Sequence, residues 1–397
     1  ALLLERFSFY GIRTLLILYM LNVLKFDRNF AGSIYGWMLL LAAVMPLFGG
    51  ILSDKWLGAK RALVWACASV AIADIIMAFS SVSSSTIALY TAIVFLAIGL
   101  GLFRPSYYTI LGNLYSDRND ARRDSGFTFI FLATNVGAVL APLSCGYIGE
   151  NVHFGLGFLV AGLAALGAVL MVRGIKEPKI TNASVPRIHN VHKIYVLAVI
   201  AVIVIFIWQI LSGSNDTFNS VFSGVTDVVL KKNSRFLPLS MFAFGIILSP
   251  LFTWYWTWSS HRGRVTPTFM KFFMGMMLAA FTFLALYILF MSYQKSGVIS
   301  LYGLMAVNLL FIAAEMFIGP IANAAVTRIA PPKYVGTTVG VWVLLTGGGG
   351  IAGAMLVPSY NAGSKMIFII PFAVAVISAI LILVLQKPLK KWMHGIN

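Results

Sequence analysis

Apolar runs of bilayer-spanning length recur from one end of this chain to the other. A hydrocarbon core of about 30 Å takes roughly 20 apolar residues in a helix. Runs of that kind lie near 1–24, 31–52, 62–82, 86–110, 126–148, 154–175, 194–214, 236–258, 268–292, 299–327, 336–358 and 364–386. Inside a bilayer no water satisfies the backbone, so only helices or closed barrels span it. Runs this long exceed the length of a barrel strand and select helices. The expected fold is therefore an all-α membrane protein with twelve transmembrane helices.

Composition agrees, and it excludes other classes. The 397 residues are 60% hydrophobic and 10% charged, with a mean hydropathy of +0.91, whereas soluble domains carry about 25% charged residues. The net charge of +17 comes from Lys and Arg in short segments between apolar runs, as topology signals do. It points to anionic lipid rather than to nucleic acid. Cys67 and Cys145 stand singly in apolar runs, and the five histidines fall in loops or the tail without zinc spacing. No cofactor and no metal are expected. The runs contain no histidine and no paired carboxylates at helical spacing, so an intramembrane enzyme is not expected either.

The longest polar interruption, 176–193, carries Lys176, Lys179, Arg187 and Lys193 and divides the runs into six and six. The expected organisation is an N-terminal six-helix bundle (1–175), a basic cytoplasmic linker (176–193), a C-terminal six-helix bundle (194–386) and a cytoplasmic tail (387–397). Lys and Arg concentrate in the even-numbered loops, the linker and the tail, which places both termini in the cytoplasm. The 215–235 loop, with Lys231, Lys232 and Arg235, is the main exception.

Ionisable residues within the runs cost about 2.5–3.5 kcal/mol each on insertion scales and generally face a water-filled interior. Among them are Glu5, Arg6, Arg13, Asp74, Arg104 and Glu315, with Asp216 near a helix end. The cations gather in the first half, and Glu315 stands in the second. Such a distribution suits a zwitterion with an anionic and a cationic end. Asp74, near the middle of its run, is a candidate proton carrier because burial opposes the charged form of a carboxylate.

Four motifs carry a resemblance. The segment from Gly49 through Gly50, Asp54 and Gly58 to Lys60 and Arg61 resembles the loop motif of the major facilitator superfamily. The glycines permit a tight turn, and the carboxylate can accept from a neighbouring helix end. Glu5-Arg6-Phe7-Ser8-Phe9-Tyr10-Gly11 resembles the first-helix signature of proton-coupled oligopeptide transporters. Gly101 to Pro105, Arg122 to Phe127, Asn135-Val136-Gly137 and Ala141-Pro142-Leu143 resemble that family's longer signature. Ala314-Glu315-Met316-Phe317-Ile318-Gly319-Pro320, followed by Trp342, completes the set in order.

The resemblance implies a monomeric secondary transporter that takes up di- or tripeptides with protons by alternating access, driven by the proton gradient. It implies that Arg6 and Arg104 hold the peptide carboxylate and Glu315 its amino group. Tyr10, Arg13 and Trp342 would line the same cavity, with Asn135 and Trp208 as further candidates. Glu5, Asp74 and Asp216 would couple protons. A multi-pass protein of a bacterial inner or plasma membrane is expected, in contact with lipid.

The chain departs from the family pattern in three places. Leu2 stands where the signature has its first glutamate, Arg104 where lysine is usual, and no carboxylate occurs near Trp208-Gln209-Ile210-Leu211-Ser212. Arginine stays protonated at any relevant pH, so Arg104 can bind an anion but cannot exchange a proton. Two alternatives follow: a carrier of another small solute within the same family, or a sensing protein that retains the transporter fold.

Overall fold

The computed structural model describes residues 1–115, 122–175, 200, 204, 206–215, 236–264, 266–297, 299–356 and 365–392. Each of the twelve expected runs contains helix among them. The helices are α1 (Leu2–Asn22), α2 (Arg28–Leu52), α3 (Ala59–Ser83), α4 (Thr86–Asn113), α5 (Arg122–Asn151) and α6 (Phe154–Gly174). They continue as α7 (206–215), α8 (Phe236–His261), α9 (Thr268–Ser296), α10 (Leu301–Ile329), α11 (Val335–Leu356) and α12 (Met366–Trp392). The protein is all-α, without a strand among the described residues, and multi-pass in a membrane. Nine described helices are long and apolar enough to cross a bilayer. Helix α1 has the length but carries Glu5, Arg6 and Arg13.

Side chains in the turns start several helices by accepting from their free first-turn N–H groups. Asp27 accepts from Asn29 N at 2.8 Å, Ser85 from Ala88 N at 3.3 Å and Ser300 from Gly303 N at 3.2 Å. Proline in α5 is absorbed by a π-helical turn, Pro142–Gly146, which re-spaces backbone bonds where the proline N–H is missing. A second π-turn, Ser53–Leu57, leads into Gly58 at φ +76°, a conformation that only glycine adopts without strain.

The described residues form two compact units. One holds 1–114, 132–175 and 331–344; the other holds 115, 122–131, the described residues from 200 to 330, and 345–392. In the first, α3 packs along α4 and α6, α2 along α4, and α1 along α6. Its core is built on Leu15, Leu16, Tyr19, Val70 and Phe158, where Tyr19 meets Phe158 edge to face and shares a 2.6 Å hydrogen bond with Ser80. In the second, α9 packs against α10 and α12, and α8 against α10. A side chain at Gly213 would strike the Gly350 carbonyl and one at Gly353 the Ile210 carbonyl. Gly213 and Gly353 therefore serve the close approach of α11 to α7.

The expected linker at 176–193 lies outside the described residues, as does most of the 215–235 loop. At the other end α12 continues to Trp392, past the expected boundary at 386. Lysine favours helix about as well as leucine does, so the helix outlasts its apolar run.

Candidate functional site

Helix α1 carries two chemically distinct faces. Arg6, Tyr10 and Arg13 recur at i, i+4 and i+7 and so share a stripe. Glu5 and Ser8, at i and i+3, share the neighbouring one. Glu5 is fully buried and Arg6 nearly so. The Glu5 carboxylate accepts twice from its neighbour, from Arg6 Nε at 2.6 Å and from Arg6 Nη2 at 2.7 Å. This two-pronged geometry is the strong form of the arginine–carboxylate pair. The Arg6 guanidinium also lies 5.1 Å from the Phe9 ring and 5.2 Å from the Phe103 ring. Two turns further along the stripe, Arg13 is exposed and donates from Nε to the Tyr35 hydroxyl at 2.8 Å.

On the second face, Ser8 Oγ lies 2.6 Å from Asp74 Oδ2. Asp74 is fully buried in α3, and its Oδ1 has no hydrogen-bond partner among the described residues. The Asp74 Cβ abuts Gly162 of α6, where a larger residue would push the carboxyl away from Ser8. The arrangement is a buried carboxyl with one neutral partner and no cation on it among the described residues.

Arg104 is exposed on an otherwise buried stretch of α4 and lies within electrostatic range of Arg6, Tyr10, Tyr108 and Glu5. Asn135 is buried on α5, two residues before Gly137, whose missing side chain admits the Arg6 Cβ and the Phe7 backbone N. Trp342 is buried on α11, which approaches α2 where a Gly340 side chain would strike the Pro46 carbonyl. Glu5, Arg6, Tyr10, Arg13, Asp74, Arg104, Asn135 and Trp342 all belong to the first unit.

Glu315 and Trp208 belong to the second unit. Trp208 is fully buried and stacks on Phe311 of α10 with ring centroids 5.0 Å apart. Glu315 follows Phe311 by four residues, on the same face, and is half-buried. Pro320 removes one backbone donor from the next turn, freeing the Met316 carbonyl beside Glu315. Asp216 lies outside the described residues.

The loop motif makes a defined contact within the first unit. Asp54 Oδ1 accepts from Gly336 N at 2.9 Å, and Oδ2 accepts from Thr337 N at 2.6 Å and Thr337 Oγ1 at 2.8 Å. These are first-turn donors of α11, where an anion is favoured by both the free N–H groups and the helix dipole. Gly50 lets the turn sit there, because a Cβ would strike the Gly336 carbonyl.

The sequence singled out Arg123 and Asp124 as part of a motif, but not the second charged cluster that they join. In the second unit, Asp124 on the first turn of α5 pairs with Lys271 Nζ at 2.6 Å and with Arg328 Nη2 at 3.3 Å, and all three are buried. Next to it, Arg123 Nη2 donates to Thr327 Oγ1 at 2.7 Å, and Thr257 Oγ1 donates to Ser125 Oγ at 3.0 Å. Lys271 and Arg328 stand near helix ends and read in sequence as topology charges. Nothing local distinguishes them from solvated lysines and arginines. Tyr108 and Ser8 could have been found, at i+4 from Arg104 and i+3 from Glu5.

The family described as Major Facilitator Superfamily matches residues 1–354. Among similar proteins, a di-/tripeptide transporter of Lactococcus lactis is 24% identical over 99% of this chain and 95% of its own length. A peptide transporter of Yersinia enterocolitica is 25% identical over 98% of this chain and 93% of its own. Among solved structures, a POT family transporter in complex with a thioalcohol-conjugated peptide shares the fold, with TM-score 0.71, 18% identity and 98% and 95% coverage of the two chains. Peptide transporter POT in complex with sulfate shares it with TM-score 0.68, 21% identity and 99% and 94% coverage.

Proposed function

The chain belongs to the major facilitator superfamily, and from that premise we propose that it carries di- and tripeptides in symport with protons by alternating access. The observation that carries this reading is the buried Glu5–Arg6 pair, doubly hydrogen-bonded and within electrostatic range of Arg104. The relatives named as peptide transporters support the substrate class.

In this reading Arg6 has two competing partners. With Glu5 ionised, the carboxylate occupies both donors of the guanidinium fork. A peptide carboxylate arriving at Arg6 and Arg104 displaces Glu5, which then takes a proton. Proton uptake and substrate binding favour each other because they compete for one cation. Glu315 receives the peptide amino group, and Tyr10, Arg13, Asn135, Trp208 and Trp342 shape the space around the solute. Asp74 offers a second proton position, because its only hydrogen-bond partner among the described residues is the neutral Ser8 hydroxyl. The proton gradient is the driving force, and the working unit is a monomer in a bacterial inner or plasma membrane with both termini cytoplasmic.

Uptake of radiolabelled dialanine into proteoliposomes under an inward proton gradient tests the reading. Gradient-driven accumulation is expected in the wild type. Glu5→Gln should lose accumulation while keeping counterflow, and undiminished proton-driven uptake by Glu5→Gln would refute the coupling scheme. Glu315→Ala removes a hydrogen bond to a charged group, worth about 1.5–3 kcal/mol, so the KM for dialanine should rise about tenfold or more. A second reading is favoured by one observation: Arg104, permanently charged, replaces lysine beside Arg6. It makes the chain a carrier of another small anion. A substrate panel competing against dialanine separates the two, since a non-peptide anion carrier would show no dialanine uptake to compete.

A further inference from the structure

Between α8, α9 and α10, within the second unit, lies a cavity of about 280 Å³ that the transport reading does not use. Leu251, Phe252, Tyr255, Trp256, Met274 and Phe317 line it. Leu251, Tyr255 and Met274 are exposed, on α8, whose run 236–258 the sequence reads as a membrane helix, and on α9, which is long and apolar enough to cross a bilayer; an opening with so apolar a rim suits an acyl chain. At the mouth stands Thr266, in the turn joining α8 to α9.

That turn is set for a headgroup. Trp254, Tyr255 and Trp258 are exposed near the end of α8, the placement of aromatic residues at the level of lipid headgroups. Arg262 and Arg264 follow and are exposed, with the Arg262 guanidinium 4.4 Å from the Trp258 ring centre. No Asp or Glu occurs between residues 236 and 297, so that stretch of chain places no anion beside these arginines. From Leu251 to His261 the helix rises about 15 Å, about the depth of one leaflet of a 30 Å core. At the wall, the Trp256 indole N–H is buried with no partner among the described residues, while Lys271 Nζ stands 4.1 Å from its ring centre.

We propose that this groove binds an anionic phospholipid, its phosphate held by Arg262 and Arg264 and one acyl chain laid on Leu251, Phe252, Tyr255 and Met274 against Trp256. The site is independent of which solute the protein carries. Trp256 joins it to Lys271, and through Lys271 to Asp124 and Arg328, so an occupied groove braces the wall that backs the charged cluster.

The test uses the full chain, delipidated in detergent and titrated with phosphatidylglycerol or phosphatidylcholine of the same acyl chains, with retention read by native mass spectrometry and stability by apparent Tm. The wild type should retain phosphatidylglycerol selectively and gain Tm from it. Arg262→Gln with Arg264→Gln should weaken that binding roughly thirtyfold, at about one factor of five per arginine, and leave phosphatidylcholine binding unchanged. Met274→Trp fills the groove and should reduce binding of the same lipid with both arginines intact. The proposal is overturned by equal binding of the two lipids, by selectivity that survives the double arginine variant, by no effect of Met274→Trp, or by full stabilisation from inorganic phosphate alone.

Discussion

Asp124 shows how much rests on single side chains in an oily bundle. Its carboxylate stands between two buried cations, 2.6 Å from Lys271 and 3.3 Å from Arg328. Neutralising it takes the carboxylate away from both buried cations, and breaking a buried ion pair on one side costs about 3–5 kcal/mol. Asp124→Asn should therefore lower the apparent Tm of the purified protein by several degrees. Replacing the trio by apolar residues, as Asp124→Leu with Lys271→Met and Arg328→Leu, should recover part of the loss, because the two cations leave together with their carboxylate. A triple variant less stable than Asp124→Asn would show that packing, not charge, governs the site. At Gly162 the constraint is steric: Gly162→Val should push Asp74 away from Ser8 and impair proton-driven uptake with little change in the total helix content seen by circular dichroism.

Individual helices are held at their first turns. Asp54 supplies three acceptor contacts to the start of α11, and loss of an N-terminal cap costs about 1 kcal/mol. Asp54→Ala should therefore destabilise modestly, whereas Gly50→Val should do more harm, because the backbone of α11 occupies the space a side chain needs. The ordering, read from apparent Tm, checks the close approach. The first turn of α5 is held by the opposite device, an anion on its own turn meeting cations from α9 and α10. Both ties are made by elements distant in sequence, and each hydrogen-bonding group is buried or half-buried.

At the scale of the whole molecule, the compact units do not follow the chain. The first takes 331–344 from the second half of the sequence, and the second takes 122–131 from the first half. A contact such as Asp54 with Thr337 therefore ties remote segments, and under the proposed alternating-access cycle it is expected to open and re-form. Cysteines at Asp54 and Thr337 should form a disulfide under mild oxidation and arrest dialanine uptake, with recovery on reduction. Uninterrupted uptake by the cross-linked protein would show that this contact persists through the cycle.

Much of this was legible in the residues alone. Twelve apolar runs dictated helices, since a bilayer leaves the backbone only helices or closed barrels and runs of about 20 residues have the helical length. Glu5, Arg6, Asp74, Arg104 and Glu315 announced themselves because charge in an apolar run is costly and rarely idle. The double hydrogen bond of Glu5 to Arg6 and the Ser8 partner of Asp74 needed coordinates, yet they lie on faces that helical spacing had already defined. Lys271 and Arg328 stayed hidden, and Asp124 was legible only as part of the Arg122 to Phe127 motif, not as their partner. They sit near helix ends, where charge is cheap and common, and only the folding together of α5, α9 and α10 removes them from water. Local spacing determines which face a side chain shares, whereas burial at a helix end depends on what another part of the chain brings to cover it.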